Sequence, residues 1–253
     1  VNLSGLILDN PVIPASGTYG FGKEYVDFYD INILGSISIK GTTVQRRKGN
    51  PQPRIAECYS GLINSVGLEN PGMENVIQKE LKDLEKIYRK PVIANISGFS
   101  VEEYVTLARE MDKVDNVGII EVNISCPNVD HGGLAFGTNA DNVRELTKKI
   151  KEVTTKPIYM KLSPNVTDIK EIARAAEEGG ADGISLINTL MGMRIDINRR
   201  KPVIANKKGG FSGPAIFPVA LRMVYEVYEA TNLPIIGIGG ISSAEDVIEM
   251  MMA

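Results

Sequence analysis

Several residue types that would announce particular functions are scarce in this sequence. There is one histidine, His131, which excludes a multi-histidine metal centre and leaves acid/base chemistry to Cys, Lys, Asp, Glu or Tyr. The two cysteines, Cys58 and Cys126, are far apart and outside any CxxC pattern, so neither a disulfide framework nor a cysteine zinc site is supported. A net charge of -3, from 28 Lys and Arg against 31 Asp and Glu, provides no basic footprint for nucleic acid. Long apolar runs are missing too. Residues 234–238 and 250–253 are far too short to cross a bilayer, and no charged start followed by an apolar core marks a signal peptide. The expectation is a cytoplasmic protein without a membrane segment. With 253 residues, 43% hydrophobic and 23% charged, the chain is expected to form one domain over residues 1–253.

What is present is alternation. Short β-branched runs at 11–15, 36–40, 92–96, 119–124, 158–162, 183–187 and 235–238 are separated by longer helical patterns, as in parallel strands joined by crossover helices. Ile77, Leu81, Leu84 and Tyr88 fall on one helical stripe. Val143, Leu146, Ile150 and Val153 make a second, and Ala244, Val247, Ile248 and Met251 a third. Ser100 with Glu103, and Ser242 with Glu245, have capping-box spacing, and Gly179-Gly180 supplies a left-handed helix exit. Seven such units predict an α/β fold, a TIM (β/α)8 barrel, in which the chain stops before the eighth β/α unit. A doubly wound open sheet is the alternative, but no GxGxxG follows the first strand. Residues 1–8, with a turn at Gly5, are expected to form a hairpin plugging the barrel's bottom. The stretch 191–218 is too long for a plain loop and holds a strand-like run at 202–205, as insertions that build sites often do.

Barrels place their chemistry at the carboxyl ends of the strands. Those ends here read Ala15-Ser16-Gly17, Lys40-Gly41-Thr42-Thr43, Asn95, Asn123-Ile124-Ser125-Cys126-Pro127-Asn128, Lys161, Asn188-Thr189 and Gly239-Gly240. Such a mouth is rich in donors and poor in negative charge, which suits an anionic or carbonyl-rich ligand. Gly239-Gly240 before a helix reads either as a phosphate site or as a tight turn, and its place after the seventh strand favours phosphate. Cys126 is either an inert buried thiol or, beside Asn123 and Asn128, a functional one. Cys58 has no such company. Lys40 and Lys161 either snorkel to the rim or share a ligand. His131, in the glycine-bearing loop 129–138, reads as an exposed lid residue, and 64–68 with Pro71-Gly72 as a loop over the mouth.

At these residues the sequence resembles the class 1 dihydroorotate dehydrogenases, and 123–133 (Asn-Ile-Ser-Cys-Pro-Asn-Val-Asp-His-Gly-Gly) is similar to the B-type, NAD-linked branch. Pro14-Ala15-Ser16-Gly17, Lys40-Gly41-Thr42-Thr43, Asn64-Ser65-Val66-Gly67-Leu68, Lys161-Leu162-Ser163-Pro164-Asn165, Ser212-Gly213-Pro214-Ala215 and Gly237-Ile238-Gly239-Gly240 extend the likeness along the whole chain. The family's eighth strand, with its Gly-Thr pair, has no counterpart.

The resemblance implies FMN held by Ser16, Lys40, Gly41, Asn95, Asn123, Lys161, Ile187, Gly213, Gly239 and Gly240. It implies dihydroorotate held by Lys40, by Asn64, Ser65, Val66, Gly67 and Leu68, and by Asn123, Asn188 and Thr189, with Cys126 as the catalytic base. Electrons would pass to a partner subunit carrying FAD and a [2Fe-2S] cluster, in a heterotetramer, and on to NAD. Two rival readings remain open: a dihydropyrimidine dehydrogenase-like FMN enzyme, and a non-catalytic, flavin-free barrel fragment.

Overall fold

The computed structural model describes residues 1–125 and 136–253. Its first element is the expected hairpin, β1 (Asn2–Leu3) against β2 (Leu6–Ile7), with Ser4 and Gly5 in the left-handed backbone that a two-residue type I′ turn demands. Leu3 and Leu8 are buried with Ile93, Ile119 and Tyr159 in a small core of their own, and the Ser4 hydroxyl donates to the Asp182 carbonyl at 2.7 Å. The hairpin therefore seals the amino-terminal end of the sheet, as a bottom plug should.

Residues 11–15, expected to be the first strand, form none. The Val12 carbonyl accepts from the Gly35 amide at 2.9 Å and the Ala15 carbonyl from the Thr18 amide at 3.0 Å, neither as part of a ladder, and Pro11 and Pro14 have no amide hydrogen to offer one. The short helix α1 (Ser16–Tyr19) follows. The second expected strand is strand-like but broken. Ile37 and Ile39 exchange parallel bonds with Ile93 and Thr42 does so with Asn95 and Ser97, while the Lys40 amide turns away to the Gly20 carbonyl at 2.8 Å.

β3 (Ile55–Cys58) and β4 (Gly61–Asn64) form a hairpin outside this alternation, with half-buried Cys58 at its tip. The next helical stretch includes α2 (Met73–Asn75), a π-helical turn at Val76–Glu80 and α3 (Leu81–Glu85). Its predicted stripe packs inward, with Leu81, Leu84 and Tyr88 buried and Ile77 partly so.

The main sheet is parallel: β5 (Val92–Ile96), β6 (Val117–Asn123), β7 (Ile158–Lys161), β8 (Gly183–Leu186) and β13 (Ile235–Gly237), in that spatial order. The connections carry α4 (Val101–Asp112), α5 (Ala140–Lys151), α6 (Ile169–Glu178) and α7 (Phe217–Ala230), and α8 (Ala244–Met252) follows β13. This is the wall of a TIM barrel that does not close: β13 pairs with β8 on one side and with no described strand on the other. One core, from Tyr19 to Met250, lies between sheet and helices. No helix among the described residues is long and apolar enough to cross a membrane.

Two local expectations shift. Ser100 caps α4 through the Glu103 amide, but the Glu103 carboxylate reaches the Phe99 amide, one residue before the cap. The capping box of α8 sits one residue later than the Ser242–Glu245 spacing suggests, between Ser243 and Asp246. Of the predicted α8 stripe, Ile248 and Met251 are exposed, and Met250 turns in instead. Gly237 makes that possible, since a Cβ there would stand 2.6 Å from the Met250 side chain.

The insertion after β8 contributes β9 (Leu190–Met193), β10 (Ile195–Asp196), β11 (Lys201–Pro202) and β12 (Lys208–Ser212). β3, β4, β12 and β9 make a four-stranded antiparallel sheet. The run 202–205 is a strand only at its first residue, where β11 pairs with β10; the glycine-bearing segment Lys208–Ser212 is the one that joins the larger sheet, because β4 supplies it with a partner 146 residues away in sequence.

Candidate active site

The carboxyl ends of the parallel strands and the antiparallel sheet enclose a cavity of about 1600 Å³. That exceeds the ~300–1,000 Å³ of an ordinary ligand pocket. Beyond the polar mouth, its lining includes apolar side chains such as Val12, Tyr228 and Met250 and the residues of β13.

Register places the polar residues. Asn123 stands opposite Lys161 across β6 and β7, so their side chains lie together in the floor of the mouth, with buried Ser185 opposite Lys161 across β7 and β8. Asn188, just past β8, donates to the Asn123 side-chain oxygen at 3.2 Å and accepts from the Thr189 amide at 2.8 Å. Tyr104 on α4 fixes the same strand end by donating to the Asn123 carbonyl at 2.7 Å. Ile187, after a cis peptide to Leu186, and buried Ser16 complete this part of the wall.

The roof is held as firmly. Asn64 donates to the Gly210 carbonyl at 3.4 Å, and a Cβ on Gly210 would collide with Thr189, so β12 can lie against Thr189 only because that position is bare. Ser65, Val66, Gly67 and Leu68 pass over the mouth in a loop tied at both ends. Asn50 donates to the Ser65 carbonyl at 3.0 Å and Asn70 to the Leu68 carbonyl at 2.7 Å. Arg47 stacks 4.5 Å above the Phe99 ring beside this loop and lines the cavity.

Electrostatically the mouth has a sealed pair and a free cation. Lys161 and Glu121 are 7% and 2% exposed and 3.6 Å apart. Burial alone would raise the Glu121 pKa, but the Lys161 ammonium and the Asn95 amide outweigh it and hold the carboxyl below its ordinary value. Lys40 has no ion-pair partner among the described residues. Burial holds its pKa below that of an ordinary lysine, against a weaker pull from Glu69. An anion in the cavity would supply what Lys40 lacks.

Four glycines, Gly41, Gly213, Gly239 and Gly240, give room for a flat or phosphorylated ligand. A Cβ on Gly41 would stand 2.8 Å from the Asn95 side-chain oxygen, an acceptor that is buried and without a partner among the described residues. Gly239 and Gly240 have φ of 128° and 71°, backbone that favours glycine, and Gly213 lies against Gly240 with φ of 119°. The amides of Ser242 and Ser243 are taken by Asp246, so the helix end expected to bind phosphate offers an anion only the segment before them.

All the predicted cofactor and substrate residues thus lie on one cavity wall. Cys126 and His131 lie outside the described residues; the flanking Ser125 and Thr138 line the cavity. Two residues, Arg47 in the wall and Glu121 buried behind it, escaped the reading of the sequence. Arg47 carries no pattern of its own. Glu121 did carry a signal, a lone carboxylate in an apolar strand two residues before Asn123 and therefore on the same face.

A parallel β/α barrel wall with a donor-rich cavity at the strand carboxyl ends is the architecture of barrel enzymes. A family model for dihydroorotate dehydrogenase matches residues 1–253. The chain is 56% identical over 253 residues to the dihydroorotate dehydrogenase B (NAD(+)) catalytic subunit of Halalkalibacterium halodurans, covering 100% of this chain and 83% of that one. It is 58% identical to the protein of the same description from Bacillus cytotoxicus and 57% identical to that from Bacillus cereus (strain AH187), covering 82% of each and 100% of this chain. The chain belongs to the dihydroorotate dehydrogenase family.

Proposed function

We propose that this chain oxidises (S)-dihydroorotate to orotate in pyrimidine biosynthesis as the catalytic subunit of a B-type enzyme, with FMN as its cofactor, residues 1–253 acting as one FMN-binding barrel unit. The observation that carries the site assignment is the meeting of Lys40, Lys161 and the unpartnered Asn95 oxygen on one cavity wall. The residues fit the cofactor: an orphaned buried acceptor, a cation beside it and bare glycines at 41, 213, 239 and 240 are what a flat, carbonyl-bearing ring with a phosphate tail needs. Ser16, Asn123 and Ile187 complete that set.

When bound, FMN supplies the acceptor for the two electrons that leave substrate C6 as hydride. The chain's own residues do the rest. Lys40 meets the substrate carboxylate, and the 64–68 loop with Asn123, Asn188 and Thr189 supplies hydrogen bonds to the ring carbonyls and amides. Cys126 takes the proton from C5, a role suited to a thiolate whose ordinary pKa is about 8.5. Loss of that proton and of the C6 hydride leaves the C5–C6 double bond of orotate. Lys161 places positive charge where negative charge grows during reduction.

The words "catalytic subunit" in the relatives' names support a partner chain. In this reading the partner carries FAD and a [2Fe-2S] cluster, since Cys58 and Cys126 are too few to ligate one, assembles with this chain as a heterotetramer in the cytoplasm and passes electrons to NAD. The test is an anaerobic visible spectrum of the purified protein supplied with FMN, before and after dihydroorotate. Bleaching of the flavin band is expected, with orotate but not uracil competing. A protein that takes up no flavin, or whose bound flavin is indifferent to dihydroorotate, overturns the reading.

A further inference from the structure

Glu121 is a carboxylate sealed beneath the site, and no step above uses it. It is 2% exposed. Three strand positions converge on its Oε2: Asn95 donates from β5 at 2.5 Å, Ser38 at 3.2 Å, and the Lys161 ammonium of β7 stands 3.6 Å away. An isolated carboxylate in such a place would be expelled or neutralised, so its partners keep it there as an anion.

That anion dictates what its partners show to the cavity. A carboxylate only accepts, so Asn95 must turn its NH2 towards Glu121 and its carbonyl oxygen away. The oxygen so directed is the buried, unpartnered acceptor beside Gly41. Lys161, drawn to Glu121 on one side, lines the cavity on the other. The floor therefore presents an acceptor and a donor side by side, which complements a pyrimidine-type ring edge that alternates N–H with carbonyl groups. Glu121 also offsets the charge of Lys161, so the pair presents a dipole rather than a full positive charge.

We propose that Glu121 is a positioning residue for the flavin site: it sets the direction of the Asn95 amide and moderates the positive charge of Lys161, and so sets how strongly the bound flavin attracts electrons. This rests on the FMN reading given above. Reduction adds negative charge to the flavin ring, and an unmoderated Lys161 favours the reduced form further.

The experiment is the midpoint potential of FMN bound to the full chain, measured by dye equilibration for the wild type, Glu121→Gln and Glu121→Asp. Glu121→Gln is expected to favour reduced over oxidised flavin by about tenfold, a shift of about 30 mV to more positive potential for a two-electron couple. Glu121→Asp, which keeps the charge, is expected to return to within about threefold of wild type. An unshifted potential in Glu121→Gln, whether or not thermal stability drops, means a merely structural role and overturns the proposal. Should that variant not fold, Ser38→Ala is measured in its place. It removes one hydrogen bond from the carboxylate, leaves its charge less satisfied and is expected to shift the ratio about threefold the other way; no shift overturns the proposal. A wild-type chain that takes up no flavin overturns the FMN reading and this proposal together, whereas flavin uptake with unshifted variants overturns this proposal alone.

Discussion

β7 and β13 belong to one parallel sheet and read almost alike as short apolar runs, yet they end in different surroundings. Every residue of β7 is buried, and so is every residue of its neighbour β8 and of β5, two strands away. All three residues of β13 are only partly buried, and α8 behind it leaves Ile248 and Met251 59% and 61% exposed. The difference lies in the number of partners. β7 has a strand on each side, while among the described residues β13 has β8 alone. Burial is a property of what packs against a segment, so the same apolar pattern produces a sealed wall in one place and an open edge in another. The chemistry collects on the sealed side, where a low-dielectric surround makes the Lys161–Glu121 pair and the Asn95 amide directional.

The sharpest way to break this comparison is to damage each side in turn. Lys161→Met leaves Glu121 as an uncompensated buried charge and is expected to cost about 3–5 kcal/mol of stability in denaturant unfolding. A loss under 1 kcal/mol there would mean that the floor is as yielding as the open edge. Within the mouth, Cys126→Ser should lower dihydroorotate turnover by roughly a hundredfold without loss of bound flavin. Near-normal turnover would remove Cys126 from the mechanism. Gly41→Ala puts a methyl group 2.8 Å from the Asn95 oxygen and should weaken FMN binding by about tenfold, read by flavin fluorescence titration; unchanged affinity would place the flavin elsewhere on the wall.

The fourth expectation concerns pH. Burial lowers the Lys40 pKa in the free protein, and orotate needs the charged form. Orotate affinity should therefore decline several-fold as pH rises through that lowered pKa, earlier than for an ordinary lysine, and Lys40→Met should flatten the profile. A wild-type profile that is already flat contradicts the role of Lys40. The smallest effect belongs to the open side: Met251→Ser should alter stability by no more than about 0.5 kcal/mol, as surface substitutions usually do. A loss comparable to that of Lys161→Met would show that α8 is packed in solution.

Much of this was legible in the order of residues. Runs 92–96, 158–162 and 183–187 became strands within one residue of their expected ends, because continuous β-branched and apolar stretches between turn residues have few other ways to be satisfied. The polar strand ends were visible for the same reason: a residue such as Lys161 after Ile158-Tyr159-Met160 stands out against its run. The failures have local causes. Residues 11–15 look like a strand by composition, but Pro11 and Pro14 cannot donate. Two serine-led caps compete at the start of α8, and the packing of Met250 against Gly237 fits the later one.

The sequence by itself determined the alternation of strand and helix, the hairpin at Gly5 and the set of donors that gathers at the strand ends, since each depends on neighbours a few residues away. Tertiary structure alone decided that Glu121 meets Asn95, Ser38 and Lys161, that Lys208–Ser212 pairs with Gly61–Asn64, and that α8 buries Met250 rather than Met251. These depend on register and on partners from distant parts of the chain. A periodicity read along one segment does not contain them.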